Sequence, residues 1–280
     1  MSLKQALEQK DFAVTCEVAP PKGVNIEPVL EEADILKGRV DAVNVTDLQA
    51  ACMRVSSLTV CALLKQHGLD PILQMVCRDR NRLSLQSELL GAYCLGIRNV
   101  LCLTGDHVVL GDHPEAKPVF DLDSVSLLAA AQGLIEGKDM VGNDLDGAPE
   151  ELFLGAIVTP GADPLEPQIF KLHNKVRAGA RFIQTQAVYD IDMFARFMDK
   201  ISDIDLPIMA GIVFVKSAGM ARYMNNNVAG VSVPDRLIKR MQEAGEADKA
   251  AKAEGKKADH KVKTAIEIAA EIIRGVQPLC

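Results

Sequence analysis

The sequence has little of what marks membrane, secreted or nucleic-acid-binding proteins. No apolar run approaches the roughly 20 residues a bilayer-spanning helix requires, and the opening stretch MSLKQALEQKDF is charged, without the apolar centre of a signal peptide. Positive charge is short: 31 Lys and Arg stand against 38 Asp and Glu, for a formal net charge of −7. That balance disfavours nucleic acid and anionic membranes as partners, since both reward basic faces. The seven cysteines, Cys16, Cys52, Cys61, Cys77, Cys94, Cys102 and Cys280, include no C-x-x-C pair. Neither a zinc ribbon nor an iron–sulfur cluster is signalled, and the cysteines read as small apolar residues kept reduced. The expectation is a cytoplasmic protein.

What is present is apolar mass in a repeating pattern. With 48% hydrophobic residues in 280, the chain can bury one large core. β-Branched runs over 12–18, 42–45, 72–76, 99–103, 152–158, 182–185 and 207–212 read as strands. Between them, apolar residues at i, i+3, i+4 spacing predict helices near 27–37, 56–67, 82–95, 124–135, 165–178 and 191–201. Gly68, Gly96 and Gly179 fall where helices should end. Alternation of this kind means parallel βα units. No strand is followed by G-x-G-x-x-G or by G-x-x-x-x-G-K-[ST], so the phosphate loops of open doubly wound sheets are missing. Instead, Glu17, Thr46, Asp106 and Gln186 fall at the C-terminal ends of different strands, the distribution a TIM-barrel active site needs. The expected fold is a single (βα)8 TIM-barrel domain over 1–280. After the apolar helix at 264–275 no eighth strand follows. The Ala-, Lys- and Glu-rich stretch 243–263 has almost no large apolar residue and reads as an exposed helix or mobile segment.

Strand parity selects the first candidate. Phe12, Val14 and Cys16 share one face, expected to pack outward under helices, which turns Glu17 inward near the rim. A carboxyl group in a partly dry rim has a raised pKa and suits a general acid. An ordinary rim glutamate is the plain alternative. Gly105 permits close backbone approach to a ligand, and Asp106 is placed to accept hydrogen bonds from it. Asp112-His113 follows six residues later, but the spacing matches no standard zinc pattern, and no metal is expected. Gln184 and Gln186 share the inward parity of their strand. An amide offers a donor and an acceptor together, which suits reading a heterocycle edge, although Gln184 reads better as part of a structural network.

With CEVAPP, NVTD, QMVC, NVLCLTGD, KVRAGARFIQTQAVYD and PIMAGIVFV occurring in order, one at each expected strand, the sequence resembles the methylenetetrahydrofolate reductase family over about residues 10 to 275. The resemblance implies a flavin, FAD with FMN as the alternative, at the C-terminal face of the barrel. It implies hydride transfer from reduced flavin N5 to 5,10-methylenetetrahydrofolate, giving 5-methyltetrahydrofolate. Glu17 matches the family's catalytic acid, which assists protonation of folate N10 and opens the ring to a 5-iminium cation. Asp106 matches the aspartate beside flavin and pterin, whose charge stabilises that cation. Gln186 matches the glutamine that touches the substrate. Thr46, Gln74, Thr104, Gly105, Asp106, Asp121, Gln168 and Lys175 fall on positions that hold the flavin, Lys175 on its phosphates.

The chain departs from the family where Thr104 stands in place of arginine, Gln74 in place of histidine, and Ala187-Val188 in place of aromatics after Gln186. With only 4% aromatic residues and no tryptophan, the sequence offers little to stack a nicotinamide. It is similar to the short reductases of anaerobic folate pathways, which implies a partner subunit bearing a redox metal centre instead of direct use of NAD(P)H. The number of copies in an assembly stays open. Two other readings also stay open: a pterin-binding methyltransferase barrel serving a corrinoid protein, and a non-catalytic docking subunit of a one-carbon complex.

Overall fold

The structure, a computed structural model, describes residues 1–280. Seven strands form one sheet: β1 (Thr15–Val18), β2 (Ala42–Val45), β3 (Pro71–Val76), β4 (Asn99–Leu103), β5 (Phe153–Val158), β6 (Phe182–Ala187) and β7 (Ile208–Gly211). Their order in the sheet is their order in the chain, with no reversal, and the paired strands are parallel. A doubly wound sheet reverses direction at a switch point. Unreversed winding with intervening helices is that of a TIM barrel, here with seven strands. The helices are α1 (Leu3–Gln9), α2 (Glu27–Leu36), α3 (Ser57–Gln66), α4 (Arg82–Cys94), α5 (Ser124–Ile135), α6 (Glu166–Arg177), α7 (Ile191–Lys200), α8 (Ala218–Asn227), α9 (Asp235–Ala253) and α10 (His260–Val276).

Contacts divide the chain into two compact units, Met1–Ala156 with Asn174–Phe182, and Ile157–His173 with Ile183–Cys280. In the first, β2 is buried at every position and β3 at all but Gln74, as expected of parallel strands covered on both faces. Phe153 and Phe182 stack at 5.1 Å, and Gly155 lies under the Phe182 ring where a side chain would collide. Gly68, Gly96 and Gly179 take φ of 89°, 79° and 115°, the left-handed conformation that ends helices. In the second unit, α10 packs on α9 and α7, with Gly275 against Ile191 and with Phe194 and Phe197 fully buried.

The structure adds to or changes three expectations. α1 precedes the first strand, with a capping box between Ser2 and Gln5 and with Leu3 and Ala6 buried. β1 begins only at Thr15, so Phe12 and Val14 lie ahead of the ladder and are exposed instead of packed under helices. After β7 the chain forms α8, α9 and α10. The stretch 243–263 takes the helical one of its two readings: it spans the end of α9, a turn and the start of α10, largely exposed but with Ala244, Asp248 and Ala251 buried. Its small residues allow close helix approach, and the Asp248 carboxylate accepts from the His260 and Lys261 backbone N–H groups, which start α10. No helix is long and apolar enough to cross a membrane.

Candidate active site

β1 and β2 lie in register, with Thr15 beside Ala42 and Glu17 beside Asn44. Alternation puts Thr15 and Glu17 on one face of β1, and Asn44 and Thr46 on one face of β2. Asn44 Nδ2 reaches Thr15 Oγ1 at 3.4 Å. Asn44 is 5% exposed and Thr46 2%, yet Asn44 Oδ1 and Thr46 Oγ1 have no hydrogen-bond partner in the chain. Buried polar atoms are ordinarily paired. Two unsatisfied oxygens on alternate residues at the end of β2 and just past it make this face a candidate for contact with a polar ligand.

Glu17 stands next to this surface. Solvent reaches it, but the protein mass around it disfavours the charge, and that burial pushes its pKa above the usual carboxylate value. The amides of Gln49 and Gln74 oppose the shift by donating to the carboxylate, Gln49 Nε2 lying 3.2 Å from Oε1. An acid that can hold its proton, yet has two donors ready for the anion, is suited to giving the proton up to a substrate and then being stabilised.

The surrounding loops are pinned by buried charge. Asp47, just past β2, accepts from the Val76 N–H at 2.9 Å and pairs with Arg80 at 2.7 Å; Arg80 also reaches Glu88. Arg78 donates to the Leu48 and Asp106 carbonyl oxygens, both at 3.1 Å, and to the Asp79 carboxylate. Asp106 itself is exposed beyond β4. Gly105 has φ of 92°, and a Cβ there would meet Val76 and Arg78 side chains at 3.1 and 3.2 Å, so its close approach is to β3 and the loop after it. Asp112 accepts from Lys22 and the Met53 N–H and pairs with His113, linking loops after β1, β2 and β4. Those two bonds and His113 hold the Asp112 pKa far below the usual range.

The expected flavin positions differ in their commitments. Gln74 donates to Glu17, and Thr46 is tied by its N–H to the carbonyl of Val18, the residue after Glu17. Thr104 Oγ1 accepts from the Ser124 N–H at the start of α5, which leaves its own proton free to donate. Asp121 is held by Arg82 through both oxygens and by the Arg82 N–H, and its pKa is lowered to about 2. Lys175 is buried and its charge acts on the Cys102 thiol of β4. In the other unit, Gln168 is half-buried in the first turn of α6.

Gln186 is half-buried on β6, also in that unit. The β6–β7 register pairs Gln184 with Met209 and Ala187 with Gly211, so two residues of β6 oppose one of β7. Thr185 fills this bulge, accepting from the Gly211 N–H at 2.9 Å. The bulge breaks the simple alternation that put Gln184 and Gln186 on one face, and bulges re-aim side chains. Tyr189 is a core residue, its hydroxyl donating to the Val213 carbonyl at 2.8 Å and its pKa pushed up by burial to about 12. Phe214, after β7, is an exposed aromatic.

Asn44, Gln49 and Arg78 escaped the sequence reading. Asn44 had a signal, since it sits two residues before Thr46 on the same parity. Gln49 and Arg78 had none, because their roles come from loops that meet only in the folded chain.

These features define a parallel βα fold with the winding of a TIM barrel, in which the end of one strand carries a burial-tuned acid beside unsatisfied polar atoms. The chain belongs to the methylenetetrahydrofolate reductase family, whose sequence profile matches residues 2–277. It is 29% identical over 203 residues to methylenetetrahydrofolate reductase 2 of Schizosaccharomyces pombe, a match covering 70% of this chain and 31% of that one. It is 26% identical over 226 residues to 5,10-methylenetetrahydrofolate reductase of Pectobacterium carotovorum, covering 77% and 69%. The chain thus spans about a third of the fission-yeast relatives it matches. Among solved structures, an uncharacterized protein from Clostridium thermocellum that binds two copies of 5-methyl-5,6,7,8-tetrahydrofolic acid superposes with a TM-score of 0.61 at 15% identity, covering 99% of this chain and 88% of that one. A 2,3-dimethylmalate lyase of the PEP mutase/isocitrate lyase superfamily gives 0.53 at 12% identity, covering 96% and 97%. At these identities both support the fold alone.

Proposed function

We propose that this chain reduces 5,10-methylenetetrahydrofolate to 5-methyltetrahydrofolate with a bound flavin, FAD in preference to FMN. The observation that carries the reading is Glu17, a rim acid with a burial-raised pKa, beside the unpaired Asn44 and Thr46 oxygens in a chain of this family. Reduced flavin, when bound, supplies the hydride. The Thr46 hydroxyl is unpaired and the Thr104 hydroxyl keeps its proton free, so both would hold such a ligand together with the Gln74 amide. Gly105, Asp121 and Lys175, and Gln168 in the other unit, are assigned to the flavin by the family resemblance alone.

Glu17 holds a proton and passes it to folate N10, which opens the five-membered ring to the 5-iminium cation. The Gln49 and Gln74 amides then stabilise the carboxylate left behind. The Asp106 carboxylate stabilises the cation by charge. Gln186 reads the edge of the heterocycle as donor and acceptor. Electrons come from a partner subunit with its own redox metal centre, a reading supported by Ala187-Val188 after Gln186 and by the burial of Tyr189. The test is an anaerobic absorption spectrum of the purified protein with mass analysis of released flavin. A non-covalent flavin, bleached by dithionite and reoxidised by methylenetetrahydrofolate, is expected. A protein that neither contains flavin nor binds added FAD or FMN would end this reading.

A further inference from the structure

We propose that Gln49 is a positioning residue for Glu17, an amide aimed from the loop after β2 to fix the orientation of the carboxyl group. The inference deepens the functional reading above and rests on it.

Gln49 is exposed, and an exposed glutamine on a free loop would have little reason to hold one rotamer, since fixing such a long side chain costs conformational entropy. This loop is not free. Leu48, Ala50 and Ala51 take φ of 45°, 54° and 56°, left-handed values that L side chains rarely adopt. Non-glycine residues stay in that region only when their surroundings over-determine it. Here they do. Arg78 donates to the Leu48 carbonyl on one side of Gln49. Met53 N–H donates to Asp112 at 3.0 Å on the other. Between them Ala51 lies against Gly111, where any side chain would strike the Ala51 carbonyl. The backbone is therefore held on both sides of Gln49, and what it presents to the rim is one amide, Nε2 at 3.2 Å from Glu17 Oε1.

The geometry also sets the sign of the effect. Gln49 donates, so it favours the carboxylate over the acid. The groups that act on Glu17 are burial and two neutral amides, Gln49 and Gln74 from the loop after β2 and from β3. From β2 the facing residue is the neutral Asn44, and Asp47 at its end is bound to Arg80. On α2, which packs on β1, Glu31, Glu32 and Asp34 are exposed. Removing the Gln49 donor leaves burial less opposed, and the Glu17 midpoint rises.

The experiment is a ¹³C-carboxyl NMR titration of the full chain without folate, the Glu17 signal being identified by its loss in Glu17→Gln. Gln49→Met keeps the length of the side chain without its donor, and Gln49→Ala removes both. Both variants should raise the Glu17 midpoint by about half a pH unit to one unit, the size of one lost hydrogen bond. In the flavin-loaded protein, the turnover profile should move to higher pH, with kcat lowered about 3- to 10-fold and KM changed less than about twofold. An unchanged midpoint in both variants overturns the proposal, whatever the substrate. Moved midpoints in a protein that never turns over methylenetetrahydrofolate uphold the link between Gln49 and Glu17 and refute the folate reading instead.

Discussion

Arg78 lies with Nη1 3.1 Å from the carbonyl oxygen of Asp106, while its Nη2 reaches the Leu48 carbonyl at the same distance. One guanidinium, 1% exposed, thus joins the loop that carries Gln49 to the loop that carries Asp106. Its Nε and Nη2 also donate to Asp79, which supplies the countercharge a buried cation needs.

The planar fork makes this link hard to replace. Arg78→Ala should destabilise the protein by about 2–3 kcal/mol, because two carbonyls lose their donor and Asp79 its partner. Arg78→Lys keeps the charge but not the fork, and should restore less than half of the loss. Urea unfolding of the three proteins measures both values. Equal stability of the lysine variant and the wild type would mean that charge alone is what matters here.

Thr46→Val separates a ligand contact from a structural one. Its hydroxyl has no partner within the chain, so the isosteric valine removes no internal hydrogen bond. Stability should change by less than about 1 kcal/mol, whereas flavin affinity should fall about 2- to 10-fold, the value of one net hydrogen bond. Thermal unfolding of flavin-free protein and fluorescence titration with FAD report the two quantities separately. A large loss of stability with unchanged flavin binding would assign the hydroxyl a structural partner instead.

Glu17→Gln should keep fold and flavin but lower folate turnover by about 10²-fold or more, the usual contribution of a positioned acid. Stability should respond to pH in a defined direction. Burial raises the folded-state pKa of Glu17, so above the ordinary glutamate value the native state binds more protons than the unfolded one. Stability then declines as pH rises from about 4.5 through the raised pKa. The glutamine variant has no such loss. Its melting temperature relative to wild type should be more favourable at pH 7 than at pH 4. A difference that does not vary with pH would show that Glu17 titrates normally.

How much of this could be read in advance follows from the range over which each feature is specified. β2 and β4 lie where their apolar runs predict, and the glycines at 68, 96 and 179 end helices as expected, because both signals are local. α1 was missed because seven residues with two buried positions give little periodicity, although Ser2 and Gln5 carried a capping signal. The place of Glu17 near the end of β1 was legible from the strand signal, although Phe12 and Val14 do not pack outward as that parity argument assumed. Gln49 was not, since nothing in Leu-Gln-Ala-Ala announces left-handed backbone; the conformation is imposed by Arg78, Asp112 and Gly111 from later in the chain. The bulge at Thr185 was equally hidden, because it depends on how β7 pairs with β6.

The electron donor is the remaining consequence of composition. Hydride exchange between nicotinamide and flavin needs the two rings within about 3–3.5 Å, and aromatic side chains commonly hold such a planar group. After Gln186 the chain supplies Ala187 and Val188, and Tyr189 is buried with its hydroxyl spent on Val213. Phe214 is an exposed aromatic after β7, but one stacked ring contributes about 0.5–1.5 kcal/mol. That is small against the roughly 4–15 kcal/mol cost of immobilising a ligand. No G-x-G-x-x-G loop anchors the dinucleotide elsewhere. NADH and NADPH should therefore be poor reductants of the isolated flavin-loaded chain, and a partner protein with its own redox centre should be needed for turnover. Anaerobic stopped-flow mixing with each nucleotide decides the matter. Flavin reduction at about 10 s⁻¹ or faster, an ordinary enzymatic rate, with no other protein present would show that the partner is unnecessary. It would also make Phe214→Ala the next variant to measure.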